Sequence, residues 1–378
     1  MGLSCTVYNK EFEREGFIND AEALEVTPTH NDVGIAKLTL PLDHPKAALL
    51  VDLATTGSAR AVFEEDGEHR LSGPLEFIEA TGPSSEGLIT FTFDDDFREL
   101  RNILGWPVPA AALTAQTVEY YTLTGPAETV VKTLVQLNGV TRLGKPITIA
   151  PDLGRGQVIT VSIRFHPLYD KLVPVLDRAG IGISIKQSGA GLLLDCYEPT
   201  LYPLDLSEAA GIVTDFKWTY RREAATDVVV GGKGEAVERE FRSFTDAPRI
   251  SQLGERIEVF RDARDSNSDI LSEREAVYAE RASETFAETK ALPGVSISLS
   301  ETSNFRYGGD RFNVGDRVRV KLGTGLLVED ILRSVSIRDS ADNGFTTVPM
   351  VGENKTVEQI IAGGLKSLSR GLRDLRSR

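Results

Sequence analysis

The chain has 378 residues, of which 41% are hydrophobic and 26% are charged, and its formal net charge is −14. Its length favours two or more domains. It contains no apolar run long enough for a transmembrane helix. Its first residues lack the basic and then apolar segments of a signal peptide, so we expect none. An acidic chain repels phosphate backbones, which disfavours ordinary binding of DNA or RNA.

The first ninety-odd residues predict a series of short β-strands. Several segments alternate polar and apolar residues, as in GIAKLTL and LITFTF, which is typical of half-buried antiparallel strands. Turn signals such as Asn31-Asp32 separate the segments, and we expect no helix between them. This series favours a barrel or a sandwich. The predicted strands are 5–12, 23–28, 35–41, 60–65, 70–80 and 88–93.

A helix is predicted to begin at the next stretch, DDDFRELRNILGWPVP. Asp94, Asp95 and Asp96 suit the amino end of a helix, where carboxylates cap free N–H groups and complement the helix dipole. Gly105 suits its end. Three adjacent aspartates could instead bind a divalent cation, but capping is the simpler interpretation.

A small α+β module is predicted in the middle of the chain. A helix at 126–138 has Pro126 in its first turn, a position that suits proline. Residues 157–199 then predict a strand, a helix kinked at Pro174, and two more strands joined by a hairpin turn at 188–191.

Strands return between about 212 and 350, and one predicted helix at 270–290 interrupts them. Before this helix, Asp265, Asn267 and Asp269 match the first ligand positions of a calcium-binding loop. The glycine and the terminal glutamate that such a loop requires are absent from the expected positions. A solvated loop that caps the helix is therefore the favoured interpretation.

The segment TDVVVGGKGEAVERE at 226–240 resembles a phosphate-binding glycine loop. A P-loop requires a hydroxyl residue after its lysine, but a glycine follows Lys233. A dinucleotide-binding loop requires a third small residue, where this chain has Val237. The alternation favours a β-hairpin, with 228–230 paired to 236–241 across a glycine turn. We therefore expect no nucleotide cofactor.

Cysteine and histidine usage predicts no metal site. Cys5 and Cys196 are the only cysteines and form no CxxC pair, which also argues against disulfides and suits a reducing cytoplasm. No GxSxG or HExxH motif occurs, so we predict no catalytic residue. A catalytic pair of carboxylates, as in a glycoside hydrolase, stays an open alternative because 56 acidic residues allow many pairings. Trp106 and Trp218 lie in patterns that predict burial.

The last segment, 351–378, predicts a basic amphipathic helix. From residue 355 it carries six basic and two acidic residues, so the rest of the chain is more acidic than the whole. Its apolar residues follow the spacing of a helical seam for about two heptads. We hypothesise that the helix orders against another subunit or an acidic partner. The apolar residues are Ile361, Leu365, Leu368, Leu372 and Leu375.

Several segments, in a fixed order along the chain, carry a family resemblance. The amino-terminal ones are GFINDAEALEVTPTHNDVGIAKLTLPLDHP, RLSGPLEFIEA and ITFTFDDDFRELRNILGWPVP. The middle ones are AETVVKTLVQLNG and GRGQVITVSIRFHPLYDKL, and the last are TDVVVGGKGEAVEREF, ERIEVFRDARDSNSDILSEREAVYAE and RFNVGDRVRV. Together they cover most of residues 10–350. In this order they resemble the baseplate-hub, or tail-hub, family of siphophages that infect actinobacteria, also called minor tail proteins.

The resemblance implies a mainly β fold with α+β insertions. Two β-barrel-like hub domains are expected, the second with a helical insertion near 270–290, together with an α+β module and a carboxyl-terminal helix. The corresponding ranges are 1–115 for the first hub domain, 116–211 for the module, 212–350 for the second hub domain and 351–378 for the helix.

The resemblance also implies a function as a structural protein of the virion, without enzymatic activity, cofactors or bound metal. Three copies are expected to form a ring that joins the tail tube to the tip proteins and forms part of the DNA ejection channel. The implied partners are further copies of the chain, the distal tail protein, the tape measure protein and other tail-tip proteins. Assembly is expected in the host cytoplasm, with no membrane binding by the chain itself.

A channel that lets DNA slide should not bind it. We therefore hypothesise that acidic residues line the bore and repel phosphates, so that DNA passes without specific binding. Two alternative functions stay open, a tail-associated cell-wall hydrolase and a host-surface carbohydrate-binding protein. No segment resembles a lytic domain, and aromatic residues are only 7% of the chain, fewer than a carbohydrate-binding surface leads us to expect.

Overall fold

The computed structural model describes residues 2–83, 86–264, 268–289, 292–302, 305–308, 311–323, 325, 327–342 and 344–352. They fall into two compact units: the first lies within 1–216 and 296–352, and the second is 217–295. Among these residues, no helix has both the length and the apolar character needed to cross a bilayer. The four-part domain division predicted from the sequence stays a prediction.

Seven strands and one helix form the amino-terminal part. All six strands predicted there are confirmed, but the strand Arg14–Ile18 was not predicted, and the expectation of no helix was wrong. Helix α1 begins at Pro45, and the ring Nδ1 of His44 accepts the N–H of Lys46 at 3.1 Å. Histidine is an unusual cap, so the helix start carried little signal. The elements are β1 (Leu3–Tyr8), β2 (Arg14–Ile18), β3 (Ala23–Thr27), β4 (Ile35–Pro41), α1 (Pro45–Thr56), β5 (Arg60–Glu65), β6 (Glu68–Thr81) and β7 (Leu88–Asp94).

The middle of the chain contains the predicted α+β elements around one hydrophobic core. The helix expected after the three aspartates is only a 3-10 turn, Asp96–Leu100, whereas α2 continues as a π-helical segment, Gln136–Arg142. Gly180 ends α3 in the left-handed conformation, with φ +74°. The elements are β8 (Leu104–Gly105), β9 (Tyr121–Pro126), α2 (Ala127–Val135), β10 (Ile147–Ile149), β11 (Val158–Ile163), β12 (His166–Pro167), α3 (Leu168–Ala179), β13 (Gly182–Ser188) and β14 (Gly191–Tyr197).

The last part of the chain is again rich in strands, and the helix predicted at 270–290 is observed as α5. The predicted carboxyl-terminal helix lies outside the described residues, apart from residues 351 and 352, and Val351 ends a strand. The elements are β15 (Leu201–Ser207), β16 (Val213–Arg221), β17 (Asp227–Gly231), β18 (Phe241–Thr245), α4 (Ala247–Leu253), β19 (Glu258–Asp262), α5 (Leu271–Glu288), β20 (Leu292–Leu299), β21 (Arg317–Lys321), β22 (Leu327–Ser340) and β23 (Gly344–Val351).

Thirteen of the described strands share one hydrogen-bonded sheet, in which the same arrangement occurs twice. The order is β16-β20-β23-β22-β3-β4-β7-β6-β5-β1-β2, with β21 beside β22 and β15 beside β21. We call β3-β4-β7-β6 the first repeat and β16-β20-β23-β22 the second repeat. In both repeats, the strand at the fourth position in the sheet (β6 or β22) comes before the third (β7 or β23) along the chain. The strand that precedes this fourth strand in the sequence (β5 or β21) pairs with it on its other side. The two repeats lie end to end, because β22 pairs with β3.

The long strands β6 and β22 are equivalent within the two repeats. Each has 14 residues, and each has a register shift where its pairing partner changes, between Leu75 and Phe77 in β6 and between Leu332 and Ser334 in β22. Such a bulge bends a strand. The first part of each strand therefore pairs with β5 or β21, and the rest pairs with β7 or β23.

The mainly β class is confirmed, but no sheet closes into a barrel among the described residues. The large sheet runs from β16 to β2 as an open path. Its inner face packs in part through the rings of Phe63 and Phe93, whose centroids lie 5.2 Å apart. The two barrel-like hub domains expected from the sequence stay a prediction.

The second unit is a three-stranded sheet with one long helix on it. Strand β17 pairs antiparallel with β18 and parallel with β19, and Tyr278 and Ala282 of α5 form a core with Val228 and Val230. Along the chain, this unit lies between β16 and β20, neighbouring strands of the second repeat. The matching strands of the first repeat, β3 and β4, are joined only by residues 28–34.

Candidate assembly surface

The second half of β6 is an exposed edge of the large sheet. Residues 77–81 pair with β7 on one side, and on the other side no strand pairs with them among the described residues. Phe77 is 58% exposed, and Glu79 and Ala80 are exposed beside it. Because an unpaired strand presents free N–H and C=O groups, it is a place where another strand can add.

Strand β16 forms the opposite exposed edge. It pairs only with β20 in the part of the sheet that is described. The hydroxyl of Thr214 donates to the carbonyl of Ser298 at 3.0 Å, and the N–H of Ser300 donates to the carbonyl of Ile212 at 2.7 Å, which places Thr214 across from Ser298. Thr214 and Phe216 are both exposed, so this edge is also free to pair.

The junction between the repeats shows how these two kinds of edge fit together. Strand β22, the last of the second repeat, pairs with β3, the first of the first repeat, so that Ile337 lies opposite Val26. Both side chains are fully buried there. Ala80 occupies the position of Ile337 in the equivalent strand β6, yet it is exposed. The exposed edges of β6 and β16 are therefore equivalent to β22 and β3, the two strands that already pair within the chain.

One face of the two repeats is exposed and rich in hydroxyl groups. Its side chains alternate with the buried ones along each strand, and the hydroxyls of Thr39 and Thr90 lie 3.0 Å apart on neighbouring strands. Acidic and basic groups on the described strands of this face are nearly balanced. The acidic residues are Glu25, Glu79 and Asp94, and the basic residues are Lys37 and Arg338.

A polar cluster links the two repeats to the middle of the first unit. His30 follows β3, Asp177 and Tyr197 belong to α3 and β14, and Arg333 lies in β22. His30 Nε2 lies 3.1 Å from the Asp177 carboxylate, its Nδ1 lies 2.7 Å from the Tyr197 hydroxyl, and Arg333 pairs with the other Asp177 oxygen. This geometry fixes the loop after β3 against β22, beside the strand junction.

The charge of Asp177 is stabilised within this cluster. Burial alone would raise its pKa, but hydrogen bonds from His30 and Asn31 and the charge of Arg333 hold the pKa well below its usual value. Burial also raises the pKa of Tyr197, so this phenol stays protonated and can donate to His30. Both effects favour one arrangement of charges and protons at the junction.

The fold gives adjacent aspartates of the 94–96 stretch different surroundings. Asp95 caps the 3-10 turn, since its carboxylate accepts the N–H of Phe97 at 2.7 Å, and the capping interpretation is confirmed for it. Asp96 is buried, where Arg60 and Ser72 donate to its two oxygens at 2.6 and 2.7 Å. Burial raises the pKa of both carboxyl groups. Among the described residues, no group of three or more His, Cys, Asp or Glu residues is placed to hold a metal ion.

The glycine-rich segment is the connection of a hairpin, as predicted, but its second strand was misplaced. Strand β17 pairs with 241–245, not with 236–241, because a 3-10 turn occupies the start of the predicted strand. The segment's N–H groups are used internally: that of Gly232 donates to the Glu240 carbonyl, and that of Lys233 to the Tyr278 hydroxyl. Of the predicted calcium-loop residues, 265 and 267 lie outside the described residues, and Asp269 accepts from the side chain of Lys233.

The sequence also led to predictions for the cysteines and the tryptophans. Cys5 and Cys196 are both free and buried, and burial raises the pKa of Cys196 to about 12. Such thiols are inert, because the thiolate is the reactive form. Trp106 is half-buried rather than fully buried, with Arg142 over its ring. The side chain of Trp218 lies outside the described set.

The amino-acid sequence matches one protein family over nearly its whole length. The family model, described as Siphovirus ReqiPepy6 Gp37-like protein, matches residues 4–353. The chain belongs to this siphovirus Gp37-like family. The resemblance to siphophage tail proteins seen in the sequence is thereby confirmed.

Solved structures of prophage and bacterial tail proteins share the fold of this Gp37-like chain. The 43 kDa tail protein of prophage MuSo2 from Shewanella oneidensis is 11% identical with a TM-score of 0.56, and the match covers 93% of this chain and 98% of that one. A tail protein from Neisseria meningitidis MC58 is 11% identical with a TM-score of 0.54 and covers 94% and 97%. Prophage tail protein gp18 from Listeria monocytogenes EGD-e is 11% identical with a TM-score of 0.53 and covers 98% and 100%. Among curated proteins, no sequence matches the chain.

Proposed function

We propose that this Gp37-like protein is a hub of the siphophage tail tip. Three copies form a ring that joins the tail tube to the tip proteins, and DNA leaves the virion through its bore. The role is structural and non-catalytic, and it needs no cofactor or metal. The family match and the fold shared with tail proteins support a structural role in the phage tail. The three-chain ring is an additional proposal.

The repeat within the large sheet is the observation that carries this proposal. Each chain holds two equivalent four-stranded repeats, already joined end to end by the pairing of β22 with β3. Two edges of the same kinds remain exposed at the ends. Three chains would therefore supply six repeats, and a closed ring would pair the edges at both ends of every two-repeat array, as closure of a barrel does. The barrel-like form expected from the sequence then arises on assembly.

The exposed hydroxyl-rich face suits the bore of such a ring. Its serine and threonine side chains offer neutral groups, and its few acidic and basic residues nearly cancel. Strong DNA binding needs several Lys or Arg side chains at the phosphates, and Lys37 is opposite Glu25 on this face. We propose that this near-neutral surface, rather than the densely acidic wall hypothesised from the sequence, lets DNA slide.

The proposed partners are those of a part of the tail tip. The chain would contact its own copies around the ring, the distal tail protein on the tube side, and the tape measure and other tip proteins. We place the protein in the virion, after assembly in the host cytoplasm. The basic segment 351–378 is the proposed contact for an acidic partner.

The ring is tested by mass measurement of the purified chain together with negative-stain imaging. Three-chain particles with a central opening are the expected result. A second sample, mixed with the distal tail protein, covers the case in which closure requires a partner. Globular single chains in both samples would contradict the proposed ring, and the family assignment would stand.

A further inference from the structure

We propose that Arg142 and Trp106 form a binding site for a short acidic and apolar peptide segment of another tail-tip protein. The site belongs to the middle of the chain and uses neither of the two exposed sheet edges, β6 and β16. That the segment comes from a tail-tip protein rests on the proposed function. The site itself and the chemistry of its ligand follow from contacts within the single chain.

The guanidinium of Arg142 has no carboxylate partner among the described residues. It lies over the ring of Trp106, with 4.7 Å between its Cζ atom and the ring centroid. Its Nη2 donates to the carbonyl of Leu104 at 2.8 Å, but its buried Nε meets no hydrogen-bond acceptor in the described part of the chain. Burial lowers the pKa of Arg142, and no neighbouring negative charge offsets this effect. Buried donors without an acceptor are rare in native proteins, so Arg142 is suited to gain one on binding.

Other arginines in comparable surroundings already have their carboxylates. Three of them lie equally close to an aromatic ring, with Cζ 4.5 or 4.6 Å from its centroid, and each pairs with a carboxylate at 2.6–3.0 Å. Near the site in sequence, Lys145 pairs with Glu99 and Arg164 pairs with Glu119. Arg142 therefore offers a single positive charge, which suits one carboxylate better than a nucleic acid, whose phosphates need several cations. The three stacked pairs are Arg60 with Asp96, Arg70 with Glu65, and Arg101 with Asp32.

Exposed apolar side chains adjoin this arginine. The ring of Phe165 is exposed and packs edge-on against Trp106, with the two centroids 5.6 Å apart. Leu104, whose carbonyl accepts from Arg142, is also exposed, and so is Leu143, the next residue along the chain. Aromatic and arginine side chains are enriched where proteins contact one another. A peptide that presents apolar side chains beside a carboxylate therefore fits this surface.

The backbone has two unusual features at the same place. The segment Gln136–Arg142 is π-helical, a rare structure that often occurs at functional sites. Its Asn138 accepts the N–H of Trp106 at 2.9 Å, so the segment positions both Trp106 and Arg142. Phe165 has φ +54°, in the left-handed region, where a bulky side chain is strained. Such strain is concentrated at binding and catalytic sites, which supports a binding role for this ring.

Peptide binding to the purified full chain tests the site. The probe is a short labelled peptide in which leucine and glutamate alternate, and fluorescence anisotropy measures its dissociation constant. The same peptide with glutamine in place of glutamate should bind about tenfold more weakly, the usual effect of losing a charge-assisted hydrogen bond. A peptide with serine in place of leucine should also bind more weakly. Absence of binding, equal binding of the glutamate and glutamine peptides, or tighter binding of single-stranded oligothymidine would overturn the proposal.

Substitutions assign the binding to Arg142. Arg142→Gln should raise the dissociation constant of the glutamate peptide about tenfold. Arg101→Gln is the matched control, because Arg101 is also stacked on a ring but is already paired with Asp32, and it should leave binding unchanged. Leu143→Glu, at an exposed position, should weaken binding several-fold by repulsion, whereas Leu143→Lys should not. Wild-type binding by both Arg142→Gln and Leu143→Glu would overturn the site.

Phe165→Gly separates a binding role of the ring from a structural one. Glycine adopts the left-handed conformation without strain, so the Tm of this variant should not fall, while peptide binding should weaken because the ring is lost. A lower Tm with unchanged binding would overturn the part of Phe165 in the site. These measurements do not depend on ring formation. Failure of peptide binding would therefore leave the proposed hub intact, and single chains that bind the peptide would leave the site intact.

Discussion

Removing the carboxylate of Asp177 should destabilise the first unit at the junction of its repeats. In Asp177→Ala, His30 Nε2, Asn31 Nδ2 and Arg333 Nη1 all lose an acceptor. His30 and Asn31 are only 2% and 3% exposed, so they have little access to water. Asn31 keeps its bond to the carbonyl of Ile181. His30 Nε2, in the tautomer that donates to Asp177, then faces only the amide donor Asn31 Nδ2 at 3.0 Å, so the loss at this nitrogen dominates the cost.

The magnitude follows from these contacts. A buried polar group left without a partner costs about 1–3 kcal/mol, and a lost charge-assisted bond to Arg333 adds to it. The Asp177 side chain is 35% exposed, so solvent screens the ion pair, and we expect about 3 kcal/mol in all. For a unit of this size, that corresponds to a fall in Tm of about 2–4 °C per kcal/mol. Asp52→Ala, at an exposed position of α1, is the matched control and should change little.

Calorimetry as a function of pH distinguishes this cause from simple loss of packing. The pKa of Asp177 is lower in the folded protein than in the unfolded chain, whose value is about 3.9. Its contribution to stability is therefore present above about pH 4 and is lost as the pH falls toward the lower, folded pKa. The difference in Tm between wild type and Asp177→Ala should shrink in that range. A neutral-pH Tm equal to that of the wild type would refute the reasoning.

Two other substitutions test contacts within each unit. Glu128→Gln should lower the free energy of unfolding by about 3 kcal/mol, because it breaks a buried ion pair with Lys132 Nζ and Arg155 Nη2 at 2.6 and 2.8 Å. Urea unfolding measures it, and an unchanged midpoint would argue against the charge being needed. Gly232→Ala should expose the second unit to proteolysis, because a Cβ there would lie 1.9 Å from the Tyr278 hydroxyl oxygen. Wild-type resistance to cleavage within 217–295 would show that the chain relaxes around the new methyl group.

Local patterns in the sequence were sufficient for most strands of the amino-terminal part. Strand β4 was predicted with its observed bounds and β7 to within one residue, because each buries every second residue. Strand β2 was missed since its sequence, REGFI, is short and lacks alternation, and four of its residues are not buried. The helix α1 was missed because its amino end carries a histidine cap in place of Ser, Thr, Asp or Asn.

The repeat and its edges were not predictable from residue patterns. The equivalent strands share positions and a bulge, but their side chains differ: Ala80 stands where Ile337 is buried, and Thr81 where Arg338 lies. Sheet pairing depends on backbone hydrogen bonds, which any of these residues can make, so the repeated geometry leaves little trace in the sequence. Whether a strand lies at an edge also depends on its neighbours in space, and local alternation does not record them.

The connection between β16 and β20 shows how much chain one turn of this sheet can accommodate. Neighbouring antiparallel strands bring their ends close together, and closing a longer loop between fixed ends costs little extra free energy. The first repeat fills this gap with residues 28–34, and the second fills it with a folded unit of its own. This hairpin is therefore the natural site at which to exchange or remove a module, or to graft a fluorescent reporter, while the strands on either side keep their register.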